Sequence, residues 1–298
     1  MKRIKHIDRR IYNALLRRIS TAIENLDITR KTIYQGYEFY YPGKSIIGRL
    51  IKNGKGWDEI LFPVVEFLLV RDRPVIIEVG TNIGSSLIQM ARARPQAIFY
   101  CFEPSNRFLP YLKKNVEKNQ LRNVNIIPLL VSPEEGSSLL FNNKTTASVV
   151  IDKYDGHELD SMQKVNNVSL DRYFKNIKKI DLIKIDTDGY DFDVMLSGEK
   201  VIREFKPYLY FEYETSLLKE AGHTPKELFE FLDELGYTTF LIFSNVGVPL
   251  KVTSSFSSIG KLAKSYPYLD ILASTSNQSQ NLRKLLSHLN LKVENDNY

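Results

Sequence analysis

Apolar residues in this chain follow two rhythms, and the change between them divides it. Over residues 4–26 they recur at Ile4, Ile7, Ile11, Leu15, Ile19, Ala22 and Leu26, with charged residues on the opposite side. That is the stripe of an amphipathic helix, read here as docked on the rest of the chain or on a second subunit, or as lying on a membrane surface. Residues 33–41 crowd Ile, Tyr and Phe together and favour strand, and Pro42-Gly43 ends them in a turn. Tyr34, Tyr37, Tyr40 and Tyr41 could line a substrate entrance there, but strand packing is the better reading. Asn53–Gly56 is a second turn, and Trp57–Val70 reads as a helix.

From residue 74 the pattern becomes strand, turn, helix, repeated. Strands are expected at Val75–Val79, Ala97–Phe102, Val124–Val131, Ile180–Ile185, Tyr208–Tyr213, Tyr237–Phe243 and Leu269–Ala273. Helices are expected at Ser85–Arg94, stopped by Pro95, and at Arg107–Lys118. Another opens at Thr224-Pro-Lys-Glu227, a capping box with Pro225 in its first turn, and stops at Gly236. Asn281–Leu291 reads as a tail helix. Such alternation predicts an α/β fold with a mostly parallel sheet and helices on both faces. Ligands of such sheets bind beyond the carboxyl ends of the strands. Residues 136–171 interrupt the alternation with short strand-like pieces (Leu139–Asn142, Ser148–Ile151, Val168–Leu170) and a polar loop, Asp152–Asn167, read as a substrate-facing flap. The organisation expected is an N-terminal basic helix and aromatic-rich segment over 1–56, a main domain over 57–275 and a tail helix over 276–298.

Charge narrows the partners. The net charge is +6, but residues 1–30 hold eight Lys/Arg against three acids, so the remainder is close to neutral. The body is therefore not a basic nucleic-acid surface, and no nucleic-acid partner is expected. The single cysteine, Cys101, permits no intrachain disulfide and suits a reducing compartment. No apolar run approaches the roughly 20 residues that span a bilayer, and no apolar core follows the basic N-terminus as in a secretory leader. A cytoplasmic protein is the expectation, with a homo-oligomer left open.

The chemistry gathers at the strand ends. Glu78-Val-Gly-Thr-Asn-Ile-Gly84 follows the first strand directly and opens a helix. Gly80 permits a tight reversal, Gly84 lets the helix start approach a ligand, and the helix amides can meet a carboxylate or phosphate. The second strand ends Phe102-Glu103-Pro104. A carboxylate there can accept hydrogen bonds from two ribose hydroxyls. The dinucleotide fingerprint Gly-x-Gly-x-x-Gly lacks its third glycine here, which favours an adenosyl amino acid over a pyrophosphate ligand. The fourth strand ends Ile185-Asp186-Thr187-Asp188-Gly189-Tyr190-Asp191, three acids that repel one another unless donors, protons or a cation balance them. They could hold an ammonium group, orient a hydroxyl, act as a general base or ligate a divalent metal, while Asp188 and Asp191 could simply cap the helix that follows.

These motifs, with Val168-Ser-Leu-Asp-Arg-Tyr-Phe174, Lys206-Pro-Tyr-Leu-Tyr-Phe-Glu212 and Leu235-Gly-Tyr237, in this order over about residues 57–275, resemble the FkbM family of methyltransferases. Glu78, Thr81, Asp188 and Asp191 stand where that family usually has Asp, Ala, Glu and Glu. The resemblance implies a Rossmann-like class I methyltransferase fold of about seven strands, the last antiparallel. It also implies S-adenosylmethionine as cofactor and O-methylation of a sugar or other hydroxylated small molecule or glycan. The candidate cofactor residues are Glu78, Gly80, Thr81, Asn82, Gly84, Glu103 and Asp186, with Asp186 near the transferred methyl. The candidate catalytic residues are Asp186, Asp188 and Glu212; a divalent metal has no assigned ligands. His157 and His223, both read in loops, are weaker candidates for the base. The rival readings are a non-catalytic cofactor-binding module acting through the basic helix and an NAD(P)-dependent oxidoreductase.

Overall fold

The structure, a computed structural model, describes residues 28–142, 147–149, 162–289 and 294–295. The helix expected over 4–26 and His157 lie outside the described residues. In chain order the elements are β1 (Thr29–Tyr34), β2 (Tyr37–Pro42), α1 (Ile46–Lys52), α2 (Leu61–Leu68), β3 (Val75–Val79), α3 (Ser85–Ala93), β4 (Ile98–Phe102), α4 (Leu109–Lys118) and β5 (Val124–Ile127). Next come β6 (Leu130–Val131), β7 (Gly136–Asn142), β8 (Ala147–Val149), β9 (Met162–Val168), α5 (Leu170–Tyr173), β10 (Leu182–Ile185), α6 (Asp191–Ser197), α7 (Glu199–Phe205) and β11 (Tyr208–Tyr213). The chain continues through α8 (Thr215–Glu220), α9 (Pro225–Glu234), β12 (Tyr237–Ser244), β13 (Pro249–Thr253), α10 (Phe256–Leu262), β14 (Leu269–Thr275), α11 (Ser279–His288) and β15 (Glu294–Asn295).

The expected Rossmann-like sheet is present and larger than expected. Its nine strands lie in the order β15-β13-β12-β14-β11-β10-β3-β4-β5. Strands β5, β4, β3, β10 and β11 run parallel. Strand β14 runs antiparallel to both its neighbours, β11 and β12. Every residue of β3 and β10 is buried, which explains why these strands read as unbroken apolar runs. Ile77, Ile183, Phe211, Ile242 and Ile271 face α6, α7, α9 and α10 on one side, while Ile76, Leu182, Tyr210, Leu241 and Leu272 face α2, α3, α4 and α11 on the other. The chain leaves β3 toward β4 and later returns to β10 on its other flank, so the switch point lies between β3 and β10.

Two smaller units flank this sheet. The β1–β2 hairpin is tied to α4 by the buried Asn115, whose side chain bonds the Tyr40 N–H (2.7 Å) and carbonyl (2.9 Å). Tyr34, Phe39 and Tyr41 pack with Ile83, Ile88 and Phe108, so the aromatic run is a packing surface. The second unit is a four-stranded sheet ordered β6-β9-β7-β8, with β9 antiparallel to β7.

Three sequence expectations need correction. Val124–Val131 is not one strand: Pro128, lacking an N–H, ends the ladder, and β6 joins the small sheet. Residues 162–167 belong to β9, not a loop; its buried valines, Val165 and Val168, stand three residues apart among Gln, Lys and Asn, so no apolar alternation marks the strand. The helix expected over Trp57–Val70 begins only at Leu61, because Asp58 is left-handed at φ 52° and the preceding residues form turns. Strand β13 and helix α10 were not expected.

Candidate active site

A cavity of about 930 Å³ opens at the carboxyl ends of β3, β4, β10 and β11 and the amino end of β14. Gly80, Thr81, Asn82, Glu103, Asp186, Asp188 and Glu212 all line it. Glu78 and Gly84 do not. Glu78 lies fully buried below the turn, where its carboxylate accepts from Ser86 Oγ.

The glycine turn is built by backbone contacts. Gly80 N and Thr81 N both donate to the Phe102 carbonyl at 3.1 Å, which joins the end of β3 to the end of β4. Gly80 has φ +85°, and a Cβ there would lie 1.8 Å from the Asp186 carbonyl oxygen, so no side chain fits between the two strand ends. Gly84, at φ +88°, is the N-cap of α3 and makes no side-chain cap. Glu103 Oε2 accepts from Asn82 N at 2.7 Å and Oε1 from Ser105 N at 2.8 Å. Both oxygens are thereby oriented, and each retains acceptor capacity for a hydroxyl. Burial pushes the Glu103 carboxyl up to about 7.

The acid motif at the end of β10 splits into two functions. Asp191 is buried and used structurally: Oδ2 accepts from Thr187 N and Oγ1, and Oδ1 accepts from Glu212 N at 3.1 Å, bracing β10 against β11. Asp188 does not cap the next helix, whose N-cap is Tyr190 without a side-chain bond. It is left-handed at φ 50° and lines the cavity. Burial, with Asp186 and Glu214 nearby, pushes its carboxyl up to about 6. Burial and the surrounding acids Asp186, Asp191, Asp270 and Asp188 push Glu212 far higher, to about 10.

Several lining residues escaped the sequence reading. Asp270 pairs in register with Glu212 across β14 and β11, and burial with Asp58 and Asp186 nearby drives its carboxyl well up. Tyr268, just before β14, donates to the Asn245 carbonyl at 3.2 Å. Trp57 and Asp58 arrive from the segment before α2. Lys184 lies beneath, 2.9 Å from Asp186, and its signal was legible as the one charge inside the apolar run Leu182–Ile185. His223 does not line the cavity; its Nε2 is 3.1 Å from Oδ1 of Asp193, which does. Ser138 and Leu140, from β7, place the small sheet on the cavity wall. Among the described residues no group of three or more His, Cys, Asp or Glu side chains is arranged to hold a metal ion.

Comparison with known proteins finds similarity to methyltransferases. The 2-O-methyltransferase NoeI of Sinorhizobium fredii is 25% identical over 170 residues, covering 52% of this chain and 69% of that protein. Methyltransferase 1 of Beauveria bassiana is 25% identical over 146 residues, 42% of this chain and 58% of that protein, so the chain spans little over half of that relative. Among solved structures, Aeropyrum pernix fibrillarin in complex with S-adenosyl-L-methionine aligns with 13% identity and a TM-score of 0.41 over 84% of each chain. The Methyltransferase FkbM domain matches residues 78–239, more than half of the chain. This chain belongs to the FkbM methyltransferase family and is an S-adenosylmethionine-dependent methyltransferase.

Proposed function

We propose that this protein methylates a hydroxyl of a sugar or another small hydroxylated acceptor. One observation carries the reading: Glu103 and the glycine turn face the same cavity as Asp186, Asp188 and Glu212. The name of the relative NoeI, a 2-O-methyltransferase, supports oxygen as the recipient.

The residues fit the cofactor's chemistry. Glu103 meets the ribose hydroxyls, and Gly80 with Thr81 and Asn82 carries the backbone past the ligand without a side chain in the way. Glu78 and Gly84 act from beneath and behind the turn. The acidic wall suits a ligand with a sulfonium and an ammonium group. S-adenosylmethionine, when bound, supplies an electrophilic methyl group whose transfer requires an acceptor oxygen in line with it.

The protein must then place that oxygen and take its proton. Asp188, with its carboxyl near 6, is ionised at neutral pH yet basic enough to accept a proton as the hydroxyl reacts. Glu212 is held protonated by burial and the surrounding acids and presents an O–H to the acceptor. Asp186, at the end of the central strand β10, stays beside the transferred group. No step is assigned to a divalent metal. The acceptor is a small molecule or glycan, and contact of the basic 1–30 segment with a membrane surface is part of the same proposal.

The test is a screen of sugars, nucleotide sugars and other hydroxylated metabolites, with and without magnesium, following S-adenosylhomocysteine release. Cofactor binding by calorimetry without release in any well would favour the non-catalytic module instead.

A further inference from the structure

Lys184 is fully enclosed, with 2% of its side chain exposed, in the middle of the central sheet. Its register partners on the two sides are Glu78 of β3 and Tyr210 of β11. Its Nζ lies 2.9 Å from Asp186 Oδ2, 3.7 Å from Glu78 Oε1 and 4.0 Å from Asp58 Oδ2. These acids come from three places: the end of the same strand, the neighbouring strand, and the segment before α2. Two of them, Asp58 and Asp186, line the cavity.

Charge balance with the buried Glu78 accounts for an ammonium here but not for its closest approach being to Asp186, 2.9 Å against 3.7 Å. On this face of the sheet its immediate neighbours are the polar partners Glu78 and Tyr210, and Ile76, Leu182 and Leu272 lie beyond them. A buried ion pair replaced by hydrophobic residues of similar volume is often neutral or more stable. What an apolar residue cannot do is fix the carboxylate at the end of β10 and pair it with Asp58 from the segment before α2. We infer that Lys184 is a positioning residue for methyl transfer, which holds the Asp186 carboxylate at the cavity floor and ties the Asp58 wall to it. Burial opposes the ammonium charge, but Asp186, Glu78 and Asp58 outweigh it and keep Lys184 charged. The inference rests on the transferase reading above, which places Asp186 beside the reacting group.

The experiment compares Lys184→Met with the double variant Lys184→Met/Glu78→Gln. Turnover, S-adenosylhomocysteine affinity and melting temperature are measured on the full chain. Lys184→Met is expected to lower kcat by about 10²-fold, the scale of an ångström-level misplacement, with little change in cofactor affinity. The double variant removes Glu78, one of the carboxylates left without its cation, and is expected to recover part of the lost melting temperature but not kcat. A merely structural counter-ion would behave otherwise: turnover would return with stability. Recovery of kcat in the double variant, or a kcat near wild type in Lys184→Met, overturns the inference. Absence of wild-type turnover with every acceptor would fail the transferase reading alone. The crystal structure of the double variant then decides: Asp186 displaced supports the positioning role, and Asp186 unmoved overturns it.

Discussion

Replacing Glu103 by alanine reads the cofactor assignment most directly. The carboxylate is oriented by Asn82 N at 2.7 Å and Ser105 N at 2.8 Å, so its remaining acceptor capacity is held in place at the cavity wall. Two hydroxyl-to-carboxylate hydrogen bonds are worth about 1.5–3 kcal/mol each before costs. One cost is ionisation, because burial holds the Glu103 carboxyl near 7. A net loss of about 3 kcal/mol, or about 10²-fold in affinity, is expected at pH 8. The pH dependence sharpens this. The hydroxyls prefer the ionised form, whose share falls as pH drops through a midpoint of about 7. From pH 8 to pH 6 the ionised share falls roughly tenfold, so the wild-type advantage over Glu103→Ala shrinks to about 10-fold. Titration calorimetry with S-adenosylhomocysteine at pH 6, 7 and 8 measures it. The ligand's own amino group titrates nearby, but it is common to both proteins and cancels in the ratio. A ratio near one at pH 8, or a large ratio that stays constant with pH, would refute the reasoning.

Other outcomes follow from the same geometry. Gly80→Ala sets a Cβ 1.8 Å from a backbone oxygen and is expected to abolish cofactor binding. Gly84→Ala meets only the flexible end of Leu112 at 3.0 Å and should cost about 1–2 kcal/mol from its left-handed backbone; chemical denaturation with calorimetry separates the two, and equal effects would contradict the packing. Asp186→Asn should cut turnover more than cofactor affinity in steady-state assays, and equal losses would make Asp186 a binding residue. Glu78 and Asp191 are raised to about 7 and Asp58 to about 6, chiefly by burial. The folded state therefore binds more protons than the unfolded one between about pH 4 and 7, and that stability is lost as pH rises through the folded values. The melting temperature of the empty protein should accordingly be higher at pH 5.5 than at pH 8 by scanning calorimetry, and the reverse order would count against these assignments.

The sheet was legible because fully buried parallel strands leave a continuous apolar signature, as in Val75–Val79. Chain punctuation was equally clear: the Thr224–Glu227 capping box forms as its sequence demands. Strand β9 was obscured because polar side chains cover its outer positions, and β13 because it opens on Pro249, a residue unexpected inside a sheet. In the site, acids that follow parallel strands could be found from the strands themselves. Asp58 could not, since a left-handed residue outside any element carries no periodic signal. Nor could the different uses of Asp188 and Asp191, which depend on which backbone amides the fold brings within reach.

Strand β14 is the reason Asp270 and Tyr268 hid. Running against its neighbours, it delivers its first residues, not its last, to the cavity edge. The cavity is thus assembled from two kinds of sequence. The turn after β3, Glu103 and the end of β10 are locked to the parallel core by backbone geometry that tolerates little change. The approach to β14 and the stretch around Trp57 and Asp58 are connecting segments, held by side-chain contacts such as Lys184–Asp58 and Tyr268–Asn245 rather than by a strand ladder. Such a division lets substitutions in the connecting half reshape the pocket while the strand ends of the other half stay in place.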